Sequence, residues 1–245
     1  MSEEMLRQRA RTLRLWGLLA HWDEVATQGW VSDLVRWSED EQRRRSLEYR
    51  TGKAKLGAMK SMASFDWDFP EKIDRAQIEE LFTLGFVKEA TNVVLAGPNG
   101  VGKTMIAQNL ANEALLRGYS VLFTTASSML GELAACDGAR SLAQTLNKYT
   151  RPQLLVIDEV GYLAYGTRHA DLLFEVVTRR YEQRPTVVTT NRVFKEWGEV
   201  FHNAACVVAL VDRLLHRAEV VHIQGESYRA REAELRRQRK RSAHP

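Results

Sequence analysis

Val93-Val94-Leu95-Ala96 runs directly into Gly97-Pro98-Asn99-Gly100-Val101-Gly102-Lys103-Thr104, and a helix-forming stretch follows, beginning near Lys103. A short β-branched apolar run reads as a buried strand. The eight residues after it match GxxxxGK[ST] in the setting that pattern requires, with a strand before it and a helix after. Gly97, Gly100 and Gly102 let the backbone turn tightly, so that consecutive N–H groups face phosphate oxygens. Pro98, Asn99 and Val101 complete the loop, and the helix through Met105 adds the positive end of its dipole. Lys103 is placed to reach the β- and γ-phosphates of ATP, and the Thr104 hydroxyl to ligate Mg²⁺.

Further along, Leu154-Leu155-Val156-Ile157 ends in Asp158-Glu159. Two acids at the end of a buried strand are costly unless they face a cation or an open crevice. Asp158 fits the magnesium-side carboxylate of a P-loop site, and Glu159 fits the general base that polarises the attacking water. A third strand end, Thr189-Thr190-Asn191, offers a carboxamide that would orient that water. By itself, Asn191 serves equally well as a strand-end cap or turn residue.

Around these motifs the pattern is regular. Val93–Leu95, Val121–Phe123, Leu154–Ile157, Thr186–Thr189 and Val220–Ile223 are strand candidates. Helices are expected over Thr104–Arg117, Ser128–Ala135, Ser141–Tyr149, His169–Arg180 and Ala204–Arg217. Short apolar runs alternating with helices indicate a parallel sheet covered on both faces, an α/β fold. Before the sheet, Glu3 to Lys60 reads as two or three short helices, with a capping box at Ser38 and Glu41. Ser61 to Pro70 is a connector whose alternating Phe65, Trp67 and Phe69 pack against the domain on its C-terminal side. A helix is expected from Pro70 to Thr83, with Ile73, Ile78 and Leu81 on one face.

Composition narrows the partners. Of 245 residues, 44% are hydrophobic and 27% charged, the balance of a soluble globular protein. No apolar run approaches the roughly 18 residues needed to span a bilayer. The N-terminus is charged from its third residue, so no signal peptide is expected and the cytoplasm is the expected compartment. Cys136 and Cys206 lack CxxC or Cys/His spacing, which points to neither a disulfide framework nor a metal cluster. Net charge is +4, distributed as +3 over residues 1–60, −3 over 61–225 and +4 over 226–245. Basic ends, including Arg236-Arg237-Gln238-Arg239-Lys240-Arg241, suit attraction to a phosphate backbone, though a solvated face explains them as well.

GPNGVGKT, LLVIDEVGY (154–162), TTNRVFKEW (189–197), VDRLLHRA (211–218) and GESYRAR (225–231) occur in the order of the IstB-like family. These are helper ATPases of bacterial insertion sequences, related to DnaC-type helicase loaders. The resemblance covers roughly residues 50 to 231. It implies an AAA+ P-loop module with a five-stranded parallel sheet ordered 5-1-4-3-2 and a reduced or absent C-terminal lid. It makes Asn191 a sensor of the γ-phosphate and its water, Arg213 an arginine finger reaching the ATP of a neighbouring subunit, and Arg229 a second sensor. Without the resemblance, Arg213 would be read as a surface ion pair with Asp212 or Glu219. A finger acting in trans implies a homo-oligomer.

The resemblance also assigns the N-terminal helices, residues 1–62, to duplex DNA and to a partner transposase, with 63–231 the ATPase domain and 232–245 a basic tail. Arg43, Arg44, Arg45, Arg50, Lys53, Lys55 and Lys60 are then candidate phosphate contacts. One segment, Leu133 to Leu142, is shorter and less basic than the family pattern. The implied function is ATP-dependent assembly on DNA in support of transposition. A replicative helicase loader is the alternative, and a module that binds ATP without turning it over is a third.

Overall fold

The computed structural model describes residues 2–162, 167–201 and 204–242. The chain forms two compact units, Met1–Gly52 and Lys53–Pro245. In the first, α1 (Glu3–Thr12), α2 (Trp16–Ala20), α3 (Trp22–Val25) and α4 (Gly29–Ala54) follow one another. Their core is Leu6, Ala10, Trp22, Val31 and Val35. Trp22 donates its indole N–H to Glu3 at 3.1 Å, and Arg9 grips Glu39 through two hydrogen bonds of 2.7 and 2.6 Å.

The buried tryptophan is Trp22, whereas Trp16 and Trp37 are exposed. One expectation changes here. Ser38 does not start a helix: α4 runs through it for 26 residues, and its hydroxyl donates to the Leu34 carbonyl one turn back at 2.7 Å. A capping box is a local signal. Within α4 it is outweighed by ion pairs at helical spacing, among them Glu41 with Arg44 and Arg45.

The second unit opens with a strap, residues 55–74, that leads to α5 (Arg75–Leu81). The helix expected from Pro70 starts only after Asp74, whose carboxylate caps it by accepting from the Gln77 N–H at 2.9 Å. The preceding residues are extended because Lys72 and Gln224 exchange backbone hydrogen bonds of 3.2 and 2.9 Å. After α6 (Gly85–Lys88) come β1 (Asn92–Ala96), α7 (Lys103–Leu116), β2 (Val121–Thr125), α8 (Ala126–Ala134), α9 (Ala139–Thr150) and β3 (Leu154–Val160). They are followed by α10 (Thr167–Arg180), β4 (Thr186–Thr190), α11 (Trp197–Val200), α12 (Ala204–His216), β5 (Ala218–His222) and α13 (Tyr228–Ser242).

All five strands are parallel, in the order β2-β3-β4-β1-β5, which is 5-1-4-3-2 read from the other edge. Val94, Leu122, Leu155, Ile157 and Val188 point to one face and pack with α8, α9, α10 and α12. Alternation sends Val93, Leu95 and Val156 to the opposite face, where α7 lies. Burial on both faces explains why these strands read as continuous apolar runs.

The lower end of the sheet is tied by Arg180, 1% exposed. Its guanidinium donates to the carbonyls of Tyr149, Thr150, Pro152 and Pro185 and to the Thr186 hydroxyl. Burial pushes its pKa down to about 9. Opposite, the carboxyl ends of β1, β3 and β4 open on one crevice, the place where ligands bind in open α/β sheets.

Candidate active site

The loop after β1 is shaped by sterics that only glycine meets. At Gly102, φ is +97° and an added Cβ would stand 2.5 Å from the Phe65 ring; at Gly100, φ is +83° and it would stand 2.2 Å from the Ser227 hydroxyl. The loop is thus gripped by the strap on one side and by the start of α13 on the other. The Tyr228 N–H donates to the Gly100 carbonyl at 3.1 Å. Lys103 curls over the loop, donating to the carbonyls of Gly97 and Pro98 at 2.7 and 2.6 Å. Burial lowers its pKa to about 8, and Arg229 pushes the same way against the opposing pull of Asp158 and Glu159.

Thr104 begins α7 and donates to both oxygens of Asp158, at 3.0 and 3.1 Å. Asp158 is 4% exposed, and its oxygens accept from two hydroxyls, those of Thr104 and Thr189. A hydroxyl and a buried carboxylate side by side are the hard oxygen donors Mg²⁺ prefers. The β3–β4 ladder runs regularly to Ile157↔Val188, shifts, and resumes at Val160↔Thr190. Within this bulge Glu159 takes φ +62°, a conformation that costs a residue with a Cβ about 1–3 kcal/mol. The irregularity turns the Glu159 side chain out of the sheet and into the cleft.

Asn191 lies in the same cleft, and its carboxamide oxygen is buried without a hydrogen-bond partner among the described residues. An acceptor left unpaired in a buried position costs roughly 1–3 kcal/mol. Arg229 lines the cleft from α13. Tyr162, just past the Asp-Glu motif, accepts from the Asn99 amide at 3.3 Å across the mouth.

The cleft, about 270 Å³, extends from the phosphate loop toward Phe65, Phe69 and Tyr228. Phe69 meets Tyr228 edge-on with ring centres 5.1 Å apart, while Arg231 sits 4.9 Å above Phe69 and pairs with Asp66 at 3.5 Å. These rings form an apolar wall suited to the base of a nucleotide. Two side chains of α7 hold the strap in place. Gln108 donates to the Leu56 carbonyl at 2.9 Å, and Asn109 donates to the Lys60 carbonyl at 2.8 Å and accepts from the Met62 N–H at 3.2 Å. The alternation of Phe65, Trp67 and Phe69 signals this wall; no local pattern signals Gln108, Asn109 or Thr189.

Other anticipated residues lie elsewhere. Arg213, on α12, does not line the cleft. Its guanidinium donates to the Thr178 hydroxyl and stacks 4.7 Å above Phe174 of α10, so its partners are neither Asp212 nor Glu219. Arg43, Arg44 and Arg45 pair along α4 with Glu39, Asp40, Glu41 and Glu48, and Arg50 donates to Ser46. Lys53 lies in the last turn of α4, Lys55 borders a hollow beside β2, and Lys60 lines the nucleotide cleft. Arg236 pairs with Glu232, and the side chains from residue 239 onward lie outside the described residues. Also among the described residues, no helix is long and apolar enough to cross a membrane.

The comparisons with known proteins agree with the fold. The family model described as IstB-like ATP binding protein matches residues 7–236. A protein of insertion sequence IS5376 from Geobacillus stearothermophilus, named for ATP binding, is 34% identical over 229 residues, covering 92% of this chain and 91% of its own. Its counterpart from IS21 of Pseudomonas aeruginosa is 37% identical, covering 77% and 71%. Among solved structures, DnaI superposes with a TM-score of 0.57 at 21% identity, covering 69% of this chain and 92% of its own. The DnaC helicase loader gives 0.52 at 18%, covering 70% and 97%. At those identities the structural likeness speaks for the fold alone. With an AAA+ sheet, a complete phosphate loop and this match along nearly its whole length, the chain belongs to the IstB-like ATP binding protein family and is an ATPase.

Proposed function

We propose that the chain hydrolyses ATP with Mg²⁺ at this cleft, assembles on duplex DNA, and assists a partner transposase in selecting its target. The observation that carries the reading is the division of the machinery. Lys103, Thr104, Asp158, Glu159, Asn191 and Arg229 gather around one cleft, while Arg213 stands away from it on α12. An arginine finger supplied in trans fits that division. ATP would then lie at a joint between subunits, and the oligomer would depend on nucleotide.

Residues Gly97 to Met105 would wrap the phosphates, with Lys103 released from its two carbonyls to meet them. Thr104 and Asp158 would hold Mg²⁺, which neutralises charge on the β- and γ-phosphates when bound. Glu159 would take the proton of the attacking water, whose oxygen the Asn191 amide would orient. Arg229 would sense the γ-phosphate from α13. Residues 1–62, with Arg43, Arg44, Arg45, Arg50, Lys53, Lys55 and Lys60, would carry DNA and partner contact, and the basic tail from 232 would add backbone attraction. Several of these cations already hold carboxylates, so DNA would have to displace them. Such contact weakens steeply with salt.

Relatives at 34–37% identity are proteins of insertion sequences, which favours a transposase over a replicative helicase as partner. Electron microscopy and sedimentation with duplex DNA and a non-hydrolysable ATP analogue test the reading. Nucleotide-dependent oligomers on DNA are expected, and a chain that stays monomeric under all conditions would refute it. Co-purification with the transposase rather than the helicase is the expected partner result.

A further inference from the structure

Thr189 is 1% exposed and lies at the end of β4, opposite the bulge that carries the two acids. Its hydroxyl donates to Asp158 Oδ1 at 2.5 Å and accepts the Glu159 N–H at 2.9 Å. A hydroxyl has one hydrogen to give and lone pairs to receive, and here both functions are spent on adjacent residues of the catalytic strand. We propose that Thr189 is a positioning residue that aligns Asp158 and Glu159 together for hydrolysis. The proposal rests on the roles given to those two acids above.

The bulge explains why a side chain is needed. Asp158 and Glu159 lie where the β3–β4 register breaks, between Ile157↔Val188 and Val160↔Thr190. An extra residue in one strand leaves a backbone group without its ladder partner. Thr189 supplies the missing acceptor from its side chain and so holds Glu159 at φ +62°. The same oxygen donates to the buried carboxylate of Asp158. Thr104 fixes that carboxylate from the phosphate loop and Thr189 fixes it from β4, leaving it a single orientation. The hydroxyl therefore links the set of the metal-side carboxylate to the set of the base. Partners that orient the ligands of a metal commonly alter affinity or activity about 10–100-fold when removed.

Thr189→Val keeps the branched shape and removes the oxygen; Thr189→Ser keeps the oxygen. Steady-state turnover, Mg²⁺ titration, ATP binding in EDTA and thermal melting separate positioning from folding. For Thr189→Val we expect kcat to fall about 10–100-fold and the half-saturating Mg²⁺ to rise, while EDTA-state ATP affinity stays within about twofold. Thr189→Ser is expected to return both to within about threefold of the parent. Wild-type kcat and Mg²⁺ dependence in Thr189→Val would overturn the proposal, as would a serine variant as impaired as the valine one. Should the valine variant not fold, Thr189→Cys, similar in size with a weaker donor, is read by the same measurements. Glu159→Gln in parallel separates the two readings. Full turnover there removes Glu159 as base while the Mg²⁺ titration still tests Asp158. A silent Thr189→Val beside a dead Glu159→Gln removes Thr189 alone.

Discussion

Curled over its own loop, the Lys103 ammonium meets two carbonyl oxygens and, among the described residues, no carboxylate within bonding distance. Its pKa of about 8 follows from burial and from Arg229. Phosphate oxygens would raise it again, so nucleotide binding takes up a proton once the free protein has lost it. ATP affinity should therefore hold level below about pH 8 and weaken by up to tenfold per unit above it. Lys103→Arg, which stays charged, should bind with a flat profile over the same titration. For the nucleotide-free fold the sign is opposite. Between about 8 and the ordinary 10.5 the unfolded lysine holds more protons, so stability contributed by this residue rises with pH. At Glu159 the expectation is simpler: Glu159→Gln should lower turnover about 10²–10⁴-fold and leave ATP binding within about twofold, in phosphate-release and binding assays. Lys103, Thr104, Asp158 and Glu159 were legible in sequence because the chemistry ties each type to a fixed place beside a strand end. Asn191 was ambiguous there, and the structure places it in the lining of the cleft.

Among the elements, α7 and α13 show how a loop of eight residues is held. The strap reaches the loop because Gln108 and Asn109 of α7 pin its backbone, and α13 reaches it through the Tyr228 N–H. At the far end of the sheet Arg180 joins α9, α10 and β4 through a set of hydrogen bonds with no carboxylate in it. Arg180→Met would leave several buried carbonyls unpaired and should cost about 3 kcal/mol. A lowered urea midpoint with unchanged slope would report that loss. ATP affinity at low temperature should stay within about twofold, since the bonded carbonyls lie at the opposite end from the cleft. The helices flanking the sheet match the apolar periodicity closely, for the face they bury is written every three or four residues. The two misplaced boundaries have a common cause. Ser38 and Pro70 are local start signals, overridden by ion pairs along α4 and by the Lys72–Gln224 bridge.

For the molecule as a whole, the position of Arg213 is the testable matter. Arg213→Ala should leave ATP binding by the isolated chain unchanged and cut turnover in DNA-bound assemblies by about 10³-fold or more. Mixing Arg213→Ala with Glu159→Gln subunits should recover part of the turnover, because some joints then combine an intact finger with an intact base. No recovery in such mixtures would place the arginine's action within its own subunit. The basic ends should make DNA binding fall steeply between low and moderate salt. Sequence alone determined the phosphate loop, the acid pair and the parallel sheet, because each depends on short spacings along the chain; the strand order followed only from the resemblance to the IstB-like family. Only the tertiary structure decided that Thr189 answers Asp158 and Glu159 from about 30 residues away, that Trp22 rather than Trp16 is buried, and that Arg213 rests on Phe174. Such pairings depend on which strands and helices become neighbours, and neighbours in the fold leave no fixed interval in the sequence.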